Sequence, residues 1–174
     1  MIEYSADKQE PFTDASAAPA EAGREEVVVI GVGNLYRSDD GLGPLVVRNL
    51  RAMMPGGARF IEHSGEGAGL MQACSGAGRV IIVDAVSSGT APGTIHRIDC
   101  SRKQIPAGIS FRSSHAFGVA EGIATAEVLG QLPPEIILFG IEASSYKSGT
   151  AVSTPVQTAI PHLSAIIVEE ILRQ

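Results

Sequence analysis

Cysteine is scarce: 174 residues contain two, Cys74 and Cys100. They form no CxxC pair and no ligand cluster, which removes zinc ribbons and disulfide scaffolds from consideration. Two thiols can make one disulfide, but reduced, partly buried cysteines in a cytosolic protein are the expectation. Clustered Lys and Arg are also missing. With 13 basic against 19 acidic residues the formal net charge is −6, which leaves no footprint for nucleic acid or anionic lipid. No apolar run approaches a membrane span, because glycine or charge interrupts each one. The N-terminus has no hydrophobic signal segment, and its acids do not suit a mitochondrial presequence, so a cytoplasmic protein is expected. Nucleophile signatures are absent as well: there is no GxSxG elbow, no HExxH, and no cysteine in a glycine-rich helix-capping context. A hydrolase built from this chain must activate water through a metal or a carboxylate.

What is present is an ordinary globular composition, 44% hydrophobic and 18% charged, of a length that fits one domain. Residues 1–26, rich in Ala, Pro, Glu, Asp and Ser, have no sustained period and read as a flexible arm. The domain proper is 27–174. Val27, Val28, Val29 and Ile30 form an apolar β-branched run, as suits a central parallel strand covered on both faces. A helix is expected over 41–54, stopped by Pro55, Gly56 and Gly57. A short strand follows at 58–62, a helix at 68–77, and a second strongly apolar strand at 79–84. Residues 94–98 alternate after Pro92 and Gly93 and read as an antiparallel edge strand. After an irregular connection, 115–131 reads as a helix burying Phe117, Val119, Ile123, Val128 and Leu129. Strand 135–141 precedes a final helix, capped by Ser153 or Thr154 and carrying Pro155 in its first turn and a kink at Pro161. Strand and helix alternate throughout. The fold class is α/β: three layers around a mostly parallel, twisted, five-stranded sheet with one antiparallel edge.

In such sheets ligands bind beyond the carboxyl ends of the strands. The residues there are Asn34, Asp39 and Asp40 after the first strand, Asp84 after the third, His115 at a helix mouth and Glu142 after the last. Carboxylates and an imidazole converging on one rim suit a divalent first-row ion. Each has a plainer reading. One of Asp39 and Asp40 can cap the helix that opens at Gly41. Asp84 can close a turn, and a lone histidine is more often a surface or packed residue. The set is more informative than its members.

Gly31 and Gly33 echo the dinucleotide fingerprint, but position 36, where the third glycine belongs, holds Tyr36. A receiver-type phosphoacceptor domain also places paired acids after the first strand, yet it wants a lysine directly after a late strand. Here Glu142 stands there and Lys147 lies deeper in the loop. That signalling domain remains an alternative, as does a metal-dependent chaperone that docks without cutting.

The strings GVGNLYRSDDGLG, VDAV, SSHAFGVAEG and FGIEA, in this order and spacing, resemble the NiFe-hydrogenase maturation proteases from Val27 to the C-terminus. The resemblance implies an endopeptidase that trims the C-terminal extension of a NiFe-hydrogenase large-subunit precursor once nickel has been inserted. It implies metal contacts, and hence the catalytic set, at Asp40, Asp84 and His115. It further implies nickel supplied by the precursor, with cadmium or zinc able to take the site. Asn34, Asp39, Gly65 and Glu66, on neighbouring loops, are assigned to substrate contact. Where many members carry an Asp-Gly-Gly-like turn, this chain has His63, Ser64, Gly65 and Glu66, which bears on the choice of client. The expected partner is the precursor alone, with no nucleic acid and no membrane, and the protein is expected to be a monomer.

Overall fold

The fold is seen in a computed structural model that describes residues 26–101, 110–111, 118–149 and 151–173. The arm expected over 1–26 lies outside them except for Glu26. Strand β1, Val27–Val32, is buried along all but its first residue, as its β-branched run demands. A 3₁₀ turn, Ser38–Gly41, leads into helix α1, Leu42–Met53. There follow β2 (Arg59–His63), α2 (Gly67–Cys74), β3 (Arg79–Ser87), β4 (Ile95–Asp99), a two-residue β5 (Ser110–Phe111), α3 (Val119–Val128), β6 (Glu135–Glu142) and α4 (Thr154–Leu172).

The main sheet runs in the order β2-β1-β3-β6-β4, with β5 pairing separately on β3. Its first four strands are parallel, and β4 lies antiparallel to β6 at the edge, as expected. Period-two alternation divides the apolar residues into two cores. On one face Val29, Ile81, Val83, Ile137, Phe139 and Ile141 meet Leu42, Val46 and Leu50 of α1 and Leu163 and Ile167 of α4. On the other, Val28, Ile30, Val32, Val80, Ile82 and Leu138 meet Leu70 of α2 and Val119 of α3. Each fully buried aliphatic side chain contributes about 1.5–3 kcal/mol relative to exposure, so these two layers hold the fold together. Among the described residues no helix is long and apolar enough to cross a membrane.

The glycines of the first loop bring α1 unusually close to the sheet. A Cβ on Gly31 would stand 2.2 Å from the Gly43 carbonyl oxygen, and one on Gly43 would stand 2.2 Å from that of Val32. Backbone therefore packs on backbone where β1 ends and α1 begins. This fixes the turn between them, which carries Asp39 and Asp40.

Two elements differ from the sequence reading. Strand β3 does not stop at Asp84 but continues through Ala85 and Val86, which pair with Ile141 and Glu142 on β6. Asp84 is thus an interior strand residue and not a turn former. Helix α3 ends at Val128, and Gly130 takes a left-handed φ of 64°. Val128 and Leu129, expected inside, are 86% and 56% exposed. Val119 is buried and Ile123 packs partly against the same core, as expected, while the small Gly122 and Ala126 let α3 lie against α2, with Gly122 over Gly67. Phe117 lies outside the described residues.

Candidate active site

Asp84 and Asp40 meet at the carboxyl rim. Asp84 is 1% exposed. One carboxylate oxygen, Oδ1, accepts from the Ala85 N–H at 2.7 Å, and the other, Oδ2, is buried with no hydrogen-bond partner. Asp40 is buried too, and the Arg37 guanidinium approaches its Oδ2 at 3.9 Å. Burial holds the Asp84 carboxyl well above the usual aspartate range; the Ala85 N–H opposes that shift and the neighbouring Asp40 charge adds to it. Burial disfavours the Asp84 charge beside a second acid, and a divalent ion would offset that cost, so the donor chemistry of the pair fits a cation.

The turn that presents Asp40 is locked from both sides. The Asn34 N–H donates to the Asp40 carbonyl and the Asp40 N–H to the Arg37 carbonyl, each at 3.1 Å. Asp39, assigned from sequence to substrate contact, is 0% exposed. Its Oδ2 accepts from the Ser144 and Ser145 N–H groups at 2.7 and 3.0 Å and from the Ser153 hydroxyl at 2.9 Å. Its Oδ1 accepts from the Ser153 N–H at 2.6 Å. The carboxylate is spent inside the protein.

Asn34 lies on the surface side of the same loop, its amide oxygen accepting from the Tyr36 N–H at 2.9 Å. With Gly33, Leu35, Tyr36, Pro44, Glu62, His63 and Ser64 it lines an open cleft of about 280 Å3. Gly65 is buried with a φ of 95°, a left-handed turn that only glycine adopts freely. Glu66 caps α2, its carboxylate accepting from the Ala68 and Gly69 N–H groups. The His63 Nδ1 accepts from the Gly65 N–H at 2.9 Å. Ile61 packs on the α2/α3 side, so His63, two residues on, faces that side as well. It pairs with Val32, whose strand separates it from β3, so His63 and Asp84 share one face of the rim.

Glu142 has a different office. Buried at the end of β6, it accepts from the Ser88 N–H and hydroxyl, the Gly89 N–H and the Thr90 hydroxyl. Burial opposes its ionisation, but these donors outweigh burial and hold its carboxyl below the usual range. Glu142 therefore anchors the turn after β3. Both thiols, Cys74 and Cys100, are pushed up to about 11, chiefly by burial, which disqualifies them as nucleophiles near neutral pH. His115 lies outside the described residues, and among the described residues no cluster of three or more metal-ligating side chains occurs.

The fold and rim define an α/β domain with a buried acid pair at the carboxyl ends of parallel strands. The family model of the hydrogenase maturation proteases matches residues 44–170. The chain belongs to the hydrogenase maturation protease family. It is similar to the hydrogenase expression/formation protein HupM of Azotobacter chroococcum mcd 1, at 29% identity over 80% of this chain and 68% of that protein. With HupD of Rhodobacter capsulatus the identity is 30% over 68% of this chain and 57% of that protein. The chain thus spans little more than half to two thirds of the length of such relatives. Among solved structures, the hydrogenase maturating endopeptidase HybD of E. coli superposes with a TM-score of 0.69 at 23% identity, covering 84% of this chain and 91% of that one. The maturation protease HybD of Thermococcus kodakarensis does so at 0.67 and 24%, covering 84% and 99%. At these identities the likeness is one of fold. The family match displaces the signalling-domain alternative, and a phosphoacceptor would in any case need an accessible carboxylate, which Asp84 is not.

Proposed function

We propose that this chain is a cytoplasmic, monomeric endopeptidase that removes the C-terminal extension of a NiFe-hydrogenase large-subunit precursor. In this reading Asp40, Asp84 and His115 contact the nickel that the precursor brings with it. The observation that carries the reading is the buried Asp84 Oδ2, an acceptor without a partner beside a second buried acid. Such a group is costly in a resting protein and finds its counter-charge when a cation arrives.

His115 is assigned by the family resemblance. Gly118, three residues on, is buried, and its N–H donates to the Glu121 carboxylate at the start of α3. The nickel held by precursor thiolates is part of the substrate, and its Lewis acidity is the chemistry it brings. The protein's own share is to complete the nickel's coordination with oxygen and nitrogen donors, so that a nickel-free precursor binds less well. The cleft lined by Asn34, Tyr36 and His63, with Gly65 and Glu66 on the adjoining loop, receives the peptide. Burial keeps both thiols from ionising readily, and this reading assigns the attack to water.

The test is to incubate the protein with nickel-loaded and nickel-free precursor and weigh the products by mass spectrometry. Loss of a defined C-terminal peptide from the loaded form alone supports the proposal. Stable binding of the loaded form with no mass change would replace the protease with a non-cleaving chaperone.

A further inference from the structure

We propose that Asp39 is the positioning residue for Asp40, and that through it the β6–α4 connection is coupled to occupancy of the acid pair. The inference rests on Asp40 and Asp84 being the cation contacts.

The turn carrying Asp40 has two kinds of restraint. Its local hydrogen bonds, Asn34 N–H to the Asp40 carbonyl and Asp40 N–H to the Arg37 carbonyl, set its shape but not its place in the molecule. The place is set from the β6–α4 connection. Four donors from Ser144, Ser145 and Ser153 close on the Asp39 carboxylate, and the Asp39 N–H returns one bond to the Ser145 carbonyl at 3.1 Å. The Ser38 hydroxyl donates to the Ala151 carbonyl at 3.0 Å, and the Gly149 N–H donates to the Tyr36 carbonyl at 2.8 Å. Ser38 itself sits at a φ of 49°, left-handed for a residue with a Cβ, a conformation kept only when its surroundings impose it.

Two features mark this clamp as dedicated. An ionised carboxylate accepts at every position and donates at none, so it alone of the acidic and amide side chains suits four converging donors. Ser153 is the N-cap of α4, yet its hydroxyl makes no bond to its own helix and is turned to Asp39 instead. The clamp is one peptide bond from Asp40, so the place of Asp40 at the rim is set by the β6–α4 connection. A cation that draws on the Asp40 carboxylate therefore draws on the clamp as well, and this couples the two loops in both directions.

The experiment uses the full-length protein and cobalt(II) chloride as probe, followed by visible absorption, with hydrogen exchange of peptides covering 144–153 measured in parallel. Asp39→Asn puts an NH2 group against N–H donors and should weaken cobalt binding by about 10- to 100-fold, as loss of a ligand's supporting group does. Ser153→Ala removes one hydroxyl and should weaken it by about two- to tenfold, the worth of one hydrogen bond. Cobalt should slow exchange over 144–153 in the wild type and less so in Ser153→Ala. If Asp39→Asn folds poorly, Ser153→Ala carries the test. Wild-type cobalt affinity, spectrum and exchange response in a folded variant would make Asp39 a purely structural residue and overturn the proposal. If instead the wild type binds no cobalt, or Asp84→Asn binds it unchanged, the assignment of the acid pair itself fails.

Discussion

Replacing Asp84 by Asn should make the cation-free protein more stable while disabling the site. The substitution keeps the shape of the side chain and the acceptor for the Ala85 N–H, but it removes a buried carboxyl whose Oδ2 has no partner and which faces the Asp40 charge. The amide puts an NH2 at the unpartnered position but carries no charge, so the gain is relief of the buried charge alone; taken as about 1–3 kcal/mol, it raises Tm in a domain of this size by about 2–10 °C. The gain must also depend on pH. The folded-state pKa of Asp84 lies above its unfolded value, near 3.9, so its contribution to stability is full below about pH 4 and is lost as pH rises through the folded value. The advantage of the variant is therefore smallest in acid and grows toward neutrality. Thermal unfolding in chelator-treated buffer from pH 4 to 8 measures the stability, and nickel or cadmium calorimetry measures the site, where affinity should fall by at least about 100-fold. A variant less stable than wild type by more than about 1 kcal/mol at pH 7, where an orphaned acceptor should cost it stability, would show that the Asp84 carboxyl is a structural group.

Three further outcomes follow from the same contacts. Gly31→Ala should cost more than about 3 kcal/mol or prevent folding, since its Cβ would meet backbone at 2.2 Å; Gly56→Ala, left-handed but in open space, should cost about 1 kcal/mol, and urea melts compare them. Because donors to Glu142 overcome burial and lower its pKa, its contribution to stability is present above the unfolded value and lost as pH falls through the folded one. Glu142→Gln should accordingly flatten the acid limb of the wild-type stability curve, and an unchanged limb would remove Glu142 as the anchor of the Ser88–Thr90 turn. With thiols at about 11, fewer than about one in a thousand is ionised at pH 7.5, so iodoacetamide should label Cys74 and Cys100 slowly until the protein unfolds.

Much of the fold was legible because the central strands are nearly pure β-branched and aliphatic runs: Val27–Val32 and Glu135–Glu142 appear where hydrophobic pattern puts them. The misjudged boundaries have physical causes. Asp84 looks like the end of a strand because acids end strands, but here β5 and β6 supply partners for the residues beyond it. Val128 and Leu129 fit a helical stripe, yet the groove over α2 is filled by smaller residues and the helix stops first. At the site, the closeness of Asp40 to Asp84 follows from the rule that parallel strands gather their carboxyl ends. The inward turn of Asp39 does not, because its donors lie 105 to 114 residues later and look like ordinary loop serines. The run of small polar residues at Ser144, Ser145 and Ser153 was the available hint.

The most direct trial is a crystal of the protein soaked with cadmium or nickel, with the ion located by its anomalous scattering. One peak bonded at about 2.0–2.4 Å to a carboxylate oxygen of Asp40, one of Asp84 and a ring nitrogen of His115 is the expected result. An ion bound elsewhere, or one held at the rim with His115 beyond reach of it, would contradict the shared site on which nickel recognition depends.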